Sequence, residues 1–301
     1  MNYSVVVPVF NEEGAVYHLG IEILEAMQKI GSNFEIIIID DGSTDSTVAE
    51  AKRIPNAKII QMRMNSGQSV ALDVGIKTAT GSTIITLDGD GQNDPADIAK
   101  MLKLLSHKID VVCGWRKNRR DDATKRWVSL GAAKLRAFLV DDGIHDAGCT
   151  LRVYKRECFD GLDLEGEMHR MIPAILKWRG FKLAETVVNH RPRQTGQTKY
   201  GPSRILRGLL DMITVWFERK YTTRPLHLFG TISLVLIVSS TFLLLYLAYM
   251  KIVYGYQLSD KIWPLVGMNF LLAGLQLLTF GLLANLVRKN NTKPRPWLIK
   301  K

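Results

Sequence analysis

Two long segments near the C-terminal end of this 301-residue chain contain no charged side chain. They run from Pro225 to Met250 and from Ile262 to Val287. A helix of about 25 residues is about 37 Å long, which is enough to cross a hydrocarbon core of about 30 Å. The alternative is a pair of core helices in a soluble protein, but helices this long are rarely apolar all round. The sequence therefore predicts a soluble domain followed by a transmembrane hairpin with spans at about 226–250 and 262–287.

The basic residues are concentrated next to these segments. The net charge of the chain is +11, yet residues 1–190 hold 24 basic and 26 acidic side chains. Residues 191–224 hold 8 basic and 2 acidic side chains, and residues 225–301 hold 8 and 1. Each Lys or Arg beside a membrane gains about 1 kcal/mol from anionic lipid. This distribution predicts a membrane as a partner and, because the soluble part is slightly acidic, excludes nucleic acid.

The first half of the chain alternates short β-branched runs with segments of helical period, a pattern typical of an α/β fold with a mostly parallel sheet. We expect strands at Tyr3–Val9, Phe34–Asp40, Ala57–Met62, Ser82–Asp88 and Asp110–Gly114, and shorter ones at Thr150–Tyr154 and Lys182–Asn189. We expect helices near Glu12–Lys29, Ser43–Arg53, Ser66–Thr78, Asp94–Leu105 and Glu167–Arg179. The predicted domains are a catalytic domain at 1–202, a juxtamembrane helix at 203–224, and the hairpin with its basic tail at 225–301.

The predicted juxtamembrane helix is amphipathic. Between Ser203 and Tyr221, apolar and aromatic side chains such as Trp216 alternate at helical spacing with Arg and Lys. Such a helix is suited to the level of the lipid headgroups. Docking of part of its surface on the soluble domain is the alternative, and the sequence leaves both open.

Acidic side chains follow three of the predicted parallel strands. Glu12 follows the first strand, Asp40 and Asp41 end the second, and the fourth leads into Asp88-Gly89-Asp90-Gly91-Gln92. Turn and cap chemistry explains each segment alone. The carboxyl ends of parallel strands meet at one edge, however, where oxygen ligands can hold Mg²⁺ or Mn²⁺ and a diphosphate. The pattern predicts a nucleotide-diphosphate site.

These motifs resemble the family 2 glycosyltransferases, which have the Rossmann-like GT-A fold. The resemblance rests on Val7-Pro8-Val9-Phe10-Asn11-Glu12, Asp40-Asp41-Gly42-Ser43-Thr44-Asp45, Asn65-Ser66-Gly67-Gln68 and Asp88-Gly89-Asp90-Gly91-Gln92. Further motifs are similar to the polyprenyl-phosphate branch, which includes dolichol-phosphate mannose synthase and bacterial undecaprenyl-phosphate sugar transferases. These motifs are Gly114-Trp115-Arg116, residues 146–152, Arg191-Pro192-Arg193 and residues 196–201. The two C-terminal spans also resemble the bacterial members.

The resemblance implies roles for individual residues on the donor side. It implies a nucleotide pocket lined by Pro8, Phe10, Glu12 and Asp40, with Asp41 as a neighbouring candidate. It also implies that Asp88 and Asp90 hold the metal and the diphosphate, with Gln92 as a further ligand. Phe10 stands where many members have tyrosine, so a hydroxyl contact with the nucleotide is missing while the ring contact remains.

The chemistry of the acceptor explains the basic residues of these motifs. A lipid monophosphate is largely ionised near pH 7, since its second pKa is about 6. It needs positioning and charge compensation, to which Arg is well suited, more than a strong base. The candidates are Arg116, Arg152, Arg191, Arg193 and Lys199, each with a solvated or headgroup-bound cation as the alternative. Asp146 can orient the acceptor, bind metal, form a turn or, as the resemblance suggests, act as the base.

The sequence thus predicts an inverting, metal-dependent transfer of one sugar from a UDP- or GDP-sugar to undecaprenyl or dolichyl phosphate. The predicted catalytic residues are Asp90, Asp146, Arg116 and Arg152. The predicted process is cell-envelope glycan or glycolipid biosynthesis. A processive polysaccharide synthase is one alternative, although two spans cannot enclose a polymer channel. A non-catalytic nucleotide-binding scaffold is another, although Asp88, Asp90 and Arg152 are intact. Because one hairpin offers few helix contacts, we also expect a homo-oligomer.

The placement of basic residues predicts the topology. The loop between the spans carries only Lys251, Asp260 and Lys261, whereas Lys and Arg are abundant outside the hairpin, so both termini should face the cytoplasm. The predicted location is the inner (plasma) membrane.

This topology is testable with single cysteines in an otherwise cysteine-free chain. We expect Ser259→Cys to be labelled by an impermeant thiol reagent only from outside sealed membranes, and Asn291→Cys only from inside. Labelling of Ser259→Cys solely from the cytoplasmic side would mean that the two segments do not both span.

Overall fold

The computed structural model describes residues 2–31, 33–117, 143–192, 224–258 and 261–290, together with six positions between 213 and 221. For residues 288–290 only the backbone is described. The chain divides into two compact units at Val215 and Trp216. The predicted domain boundary at 202 lies outside the described residues and stays a prediction. So does most of the juxtamembrane helix, of which the six described positions are helical.

The first unit is built on a seven-stranded sheet. Its strands are β1 (Tyr3–Val9), β2 (Phe34–Asp40), β3 (Ala57–Gln61), β4 (Thr83–Thr86), β5 (Val111–Trp115), β6 (Arg152–Lys155) and β7 (Leu183–Val187). Their order across the sheet is β3-β2-β1-β4-β6-β5-β7. Neighbours pair in parallel except at β6, which is antiparallel to β4 and β5. The predicted α/β class with a mostly parallel sheet is confirmed.

Five helices of the described chain flank this sheet. They are α1 (Val16–Ile30), α2 (Thr47–Ala51), α3 (Gln68–Thr78), α4 (Ile98–Leu104) and α5 (Ile172–Trp178). Short 3₁₀ turns at Pro95–Asp97 and Met168–Arg170 precede α4 and α5. The predicted starts of α1 and α2 are wrong by four residues each, because the polar residues there form interlocked loops. Strand β4 is also shorter than predicted, since the chain leaves the sheet after Thr86.

The core consists of two apolar layers, one on each face of the sheet. Ile36 and Ile38 of β2 pack in the same layer as Ile23 of α1. Ile37 and Ile39 point the other way and share the second layer with α3 and α5. A strand that is covered on both faces needs a continuous apolar run rather than an alternating one, which explains the four consecutive isoleucines.

The second unit contains two long apolar helices, α6 (Pro225–Tyr254) and α7 (Trp263–Asn290). Both are long and apolar enough to cross a membrane, and only 11% of the most apolar window of each is buried. Helix α6 ends at Gly255, whose φ of +68° is in the left-handed region that favours glycine. The helices touch along Gly267, Gly274 and Gly281 of α7. A Cβ at Gly274 would lie 2.7 Å from Cγ1 of Ile237 in α6, so glycine permits the close approach.

The seating of α3 on the sheet can be tested at Gly75. A Cβ there would lie 2.5 Å from both Cδ1 of Ile39 and Cγ1 of Val6. We expect Gly75→Ala to lower the free energy of unfolding by about 1–3 kcal/mol, measured by chemical denaturation, because overpacking shifts the surrounding side chains. Gly230→Ala is the control, since its nearest contact would be 3.6 Å away. Equal stability of Gly75→Ala and the parent protein would contradict this packing.

Candidate functional site

The loops that follow β1 and β2 are locked together by hydrogen bonds. The backbone N–H of Asn11 donates to Oγ of Ser43 at 2.9 Å, and that of Glu12 donates to Oγ1 of Thr47 at 2.8 Å. In return, Oδ1 of Asn11 accepts the N–H of Thr44 at 2.8 Å. The two strand ends therefore form one continuous surface at the carboxyl edge of the sheet, where ligands of such folds bind.

The predicted nucleotide-pocket residues lie at this edge. Pro8 is buried in β1, while Phe10 and Glu12 are half-buried just beyond it. Both carboxylate oxygens of Asp40 accept the backbone N–H of Ser43 at 3.2 Å, so Asp40 shapes its own turn. The structure brings these four predicted residues together, and their contact with a nucleotide stays a prediction.

Asp41 points in a different direction from its neighbour. Its side chain is buried and accepts the backbone N–H groups of Ser66 at 2.7 Å and of Gly67 at 3.0 Å. These residues stand directly before α3, so Asp41 fixes the start of that helix. The predicted role of Asp41 near the nucleotide stays a prediction, because its two oxygens are both occupied here.

The metal-binding candidates Asp88 and Asp90 lie in the turn that follows β4. Nε2 of Gln68, the first residue of α3, donates to Oδ1 of Asp88 at 2.6 Å. Oδ1 of Asp90 accepts the backbone N–H of Gln92 at 3.1 Å. Burial raises the pKa of Asp88 to about 6, and repulsion from Asp90 adds to this effect. Two carboxylates that repel each other at a partly exposed turn fit a divalent cation, whose charge would relieve the repulsion.

The protein supplies few ligands for such a cation. Within the described residues, no group of three or more His, Cys, Asp or Glu side chains is placed to hold a metal ion. This fits Mg²⁺, which is commonly bound through one or two carboxylates and completed by substrate phosphates and water. The side-chain amide of Gln92 donates instead to the carbonyl of Arg191 at 3.4 Å, and its predicted role as a ligand stays a prediction.

A half-buried ion pair lies next to this turn. Nε of Arg116 donates to Oδ2 of Asp146 at 2.7 Å, and Nη2 donates to Oδ1 at 2.9 Å. The backbone N–H groups of Arg116 and Gly148 also donate to this carboxylate. Burial disfavours the charge on Arg116, but the hydrogen bonds and charge of Asp146 outweigh it and raise the pKa of Arg116. Of the roles left open for Asp146, this geometry favours orienting Arg116.

Arg116 acts electrostatically on the turn that carries Asp88 and Asp90. Its attraction to Asp88 lowers the pKa of that carboxyl and so partly opposes the effect of burial. Thr150 also hydrogen-bonds to Asp88. The edge of the sheet thus combines two carboxylates with a guanidinium that Asp146 holds in a fixed orientation. Such a site can bind a cation and an anionic phosphate side by side.

Arg152 lies inside the protein, in β6, with 1% of its surface exposed. Nη1 donates to the carbonyl of His169 at 2.9 Å, and Nη2 donates to that of Ala147 at 2.6 Å. In the described part of the chain, no carboxylate forms an ion pair with it. Arg152 thereby joins the loop that carries Asp146 to the turn before α5. It offers no surface to an acceptor in this conformation, and the predicted contact with the acceptor stays a prediction.

The remaining basic candidates are paired or lie outside the described residues. Nη1 of Arg191 donates to Oε2 of Glu22 at 2.6 Å, and Nη2 donates to Oδ1 of Asp94 at 2.8 Å. Its backbone N–H donates to the carbonyl of Gln92 at 2.9 Å, which holds this segment against the turn that carries Asp88 and Asp90. Arg193 and Lys199 fall at residues that are not described, so their predicted phosphate contacts stay predictions.

Two functional neighbours were missed by the sequence analysis. Gln68 belongs to a recognised motif but was given no role, although it contacts Asp88 directly. Ser69 is fully buried, and its hydroxyl bonds to Nδ1 of His169 at 2.9 Å, linking α3 to the turn that accepts from Arg152. The position of Gln68 at a predicted helix start, facing the sheet edge, was the available signal. Nothing in the sequence pairs Ser69 with a residue 100 positions away.

Comparisons with known proteins identify the class of enzyme. Residues 4–162 match the sequence profile described as glycosyl transferase family 2. The chain therefore belongs to glycosyl transferase family 2, which confirms the resemblance, and it is a glycosyltransferase.

Curated relatives match along nearly the whole chain. The chain is 37% identical over 298 residues to dodecaprenyl-phosphate galacturonate synthase of Rhizobium johnstonii, covering 96% of this chain and 88% of that protein. It is 32% identical over 303 residues to undecaprenyl-phosphate 4-deoxy-4-formamido-L-arabinose transferase of Aeromonas hydrophila, covering 97% and 90%. The predicted similarity to polyprenyl-phosphate sugar transferases is confirmed.

A solved structure supports the fold assignment. Glucosyl-3-phosphoglycerate synthase from Mycobacterium tuberculosis, crystallised with Mn²⁺ and UDP-glucose, aligns with a TM-score of 0.57 and 17% identity. The alignment covers 72% of this chain and 78% of that one. At this identity the likeness shows a shared fold, in agreement with the predicted GT-A architecture.

The buried position of Arg152 leads to a stability prediction. Arg152→Met leaves the carbonyls of Ala147 and His169 without their donor, so we expect the free energy of unfolding to fall by about 2–4 kcal/mol. Thermal or chemical denaturation measures this loss. Arg63→Met, at an exposed position, should change stability by less than about 0.5 kcal/mol. If Arg152→Met is as stable as the parent and has lost only acceptor use, then Arg152 contacts the acceptor directly.

Proposed function

We propose that this glycosyltransferase moves a single sugar from a nucleotide-diphosphate sugar to a polyprenyl phosphate. The observation that carries the proposal is that Asp88 and Asp90 lie together in one turn, with Arg116 within electrostatic range of Asp88. This arrangement suits a donor diphosphate with its cation on one side and an acceptor phosphate on the other. The relatives named for dodecaprenyl and undecaprenyl phosphate support the acceptor class.

On the donor side, the interlocked edge from Pro8 to Glu12 would bind the nucleotide. Asp88 and Asp90 would hold Mg²⁺ or Mn²⁺ together with the diphosphate. A divalent cation bound there supplies charge compensation for the departing diphosphate. Gln68 keeps Asp88 in a single orientation through its 2.6 Å hydrogen bond, so the carboxylates are positioned before substrate arrives.

On the acceptor side, the phosphate oxygen is already an anion and needs little help from a base. Arg116 would draw this anion into line with the sugar, because its bidentate pair with Asp146 restricts the guanidinium to one orientation. Attack from the face opposite the leaving diphosphate inverts the configuration at the anomeric carbon. Asp146 therefore acts in this proposal through Arg116, as a positioning residue.

The two apolar helices would anchor the enzyme beside its lipid substrate. A polyprenyl chain stays in the bilayer, so its phosphate is presented at the headgroup level. Helices α6 and α7 would span the membrane. The basic segments at 191–224 and 288–301 would lie on the cytoplasmic side and would keep the catalytic domain at that surface. We therefore place the enzyme in the inner membrane with its active site on the cytoplasmic face.

The proposal is tested with purified full-length protein, undecaprenyl or dolichyl phosphate, and a panel of labelled UDP- and GDP-sugars. We expect one sugar per lipid and loss of transfer when a chelator removes divalent cations. Asp90→Asn should lower transfer by about 100-fold or more, because it removes a ligand of the cation that would compensate the charge of the departing diphosphate. Its fold should persist, since Asp90 lies in a partly exposed turn. Asp163→Asn, an exposed carboxylate elsewhere, is the matched control.

Other outcomes would point to the alternatives. Near-normal transfer by folded Asp90→Asn contradicts the metal assignment. Polymeric products would indicate a processive synthase, and nucleotide binding without transfer to either lipid would indicate a scaffold.

A further inference from the structure

The face of α7 that points away from α6 carries a second regular pattern. Exposed residues recur there at alternating intervals of four and three, the spacing of a coiled-coil seam. We call this set the outer seam; it consists of Leu265, Asn269, Leu272, Gln276, Thr279, Leu283 and Leu286. Gln276 lies about 160° around the helix from Gly274, which faces α6. The outer seam is therefore the side that the hairpin itself leaves uncovered.

Two side-chain amides interrupt this otherwise apolar face. Gln276 lies about 20 Å along the helix from Trp263 and about 18 Å from Arg288, near the middle of the predicted span. Among the described residues, none forms a hydrogen bond with its amide group. Asn269, one heptad earlier, uses one N–H on the carbonyl of Leu265 at 2.8 Å, which leaves its other amide atoms available. An amide without partners is costly in hydrocarbon, so this face is unsuited to lipid alone.

We propose that the outer seam packs against the same seam of a second copy of this chain. This inference rests on the proposed membrane-spanning arrangement. Copies of one chain insert in the same direction, so a two-fold axis along the membrane normal sets each residue opposite its own copy. Asn269 then meets Asn269 and Gln276 meets Gln276. An amide is both donor and acceptor, so each pair is self-complementary, and polar residues at this heptad position fix the register.

The leucines of the outer seam complete the contact. Leu272 is 55% exposed and Leu283 is 58% exposed in a single chain, although neither is polar. Between two copies they would form apolar layers on either side of the Gln276 pair. The close packing along Gly267, Gly274 and Gly281 uses the opposite face of α7, so the hairpin and the pairing of two copies do not compete.

Disulfide cross-linking in native membranes tests the proposal with the full-length chain. Leu272→Cys places a thiol in the outer seam, and Phe270→Cys places one at a similarly exposed position about 160° around the helix. The chain's own three thiols are buried and stay in place. Under mild oxidation we expect covalent dimers from Leu272→Cys and none from Phe270→Cys. Adding Gln276→Leu should reduce the dimer by about three- to tenfold, whereas Gln276→Asn, which keeps the amide, should retain most of it.

Each other outcome overturns the proposal. Absence of dimers from Leu272→Cys, equal dimers from both positions, or no effect of Gln276→Leu would show that the outer seam is not the contact. Cross-links solely to a different protein would assign this face to that partner. Sugar transfer measured in the same membranes reports on the proposed function separately. Normal sugar transfer without covalent dimers would reject the pairing of the outer seam but not the proposed function. Covalent dimers without sugar transfer would reject the proposed function but not the pairing.

Discussion

The proposed active site depends most on the repulsion between Asp88 and Asp90. Because burial raises the pKa of Asp88 to about 6, its ionised form is disfavoured in the folded protein. The stability that the protonated carboxyl contributes is therefore lost as the pH rises through about 6. Gln68, Thr150 and Arg116 oppose this effect from three different parts of the chain. The pKa of Asp88 stays raised in spite of them, so the fold alone does not relieve the repulsion, which a divalent cation at this turn would reduce.

Much of this edge followed from the sequence, because each acidic group directly follows a buried apolar run. The bounds of β1 and β2 and the class of the sheet were predicted for the same reason. The different hydrogen-bond partners of Asp40 and Asp41 could not be predicted from the sequence. Adjacent side chains on a strand point in opposite directions, so one closes its own turn while the other reaches the start of α3. Which neighbour each side chain meets depends on the path of the following helix.

Arg152 shows a different limit of sequence analysis. Its motif placed it at the site, and the chain does bring it near the loop of Asp146. No pattern in the sequence indicated, however, that β6 inserts antiparallel between β4 and β5. A strand in that central position is covered on both faces, so its arginine is enclosed and turns to backbone carbonyls. The motif correctly indicated that Arg152 lies near the loop of Asp146, whereas the order of the strands determines that its side chain is buried.

The contacts of Arg191 also bear on when the site forms during synthesis. The bond between Glu22 and Arg191 joins residues 169 positions apart, and Asn189 bonds to Asp97 in the same segment. Such contacts close only after the intervening chain has been made and the central strands have paired. An emerging chain can thus assemble β1 to β4 early, while the turn that carries Asp88 and Asp90 gains its last support from β7 and the residues that follow it. This support is therefore complete only when synthesis has passed the strands of the first unit and reached the apolar helices.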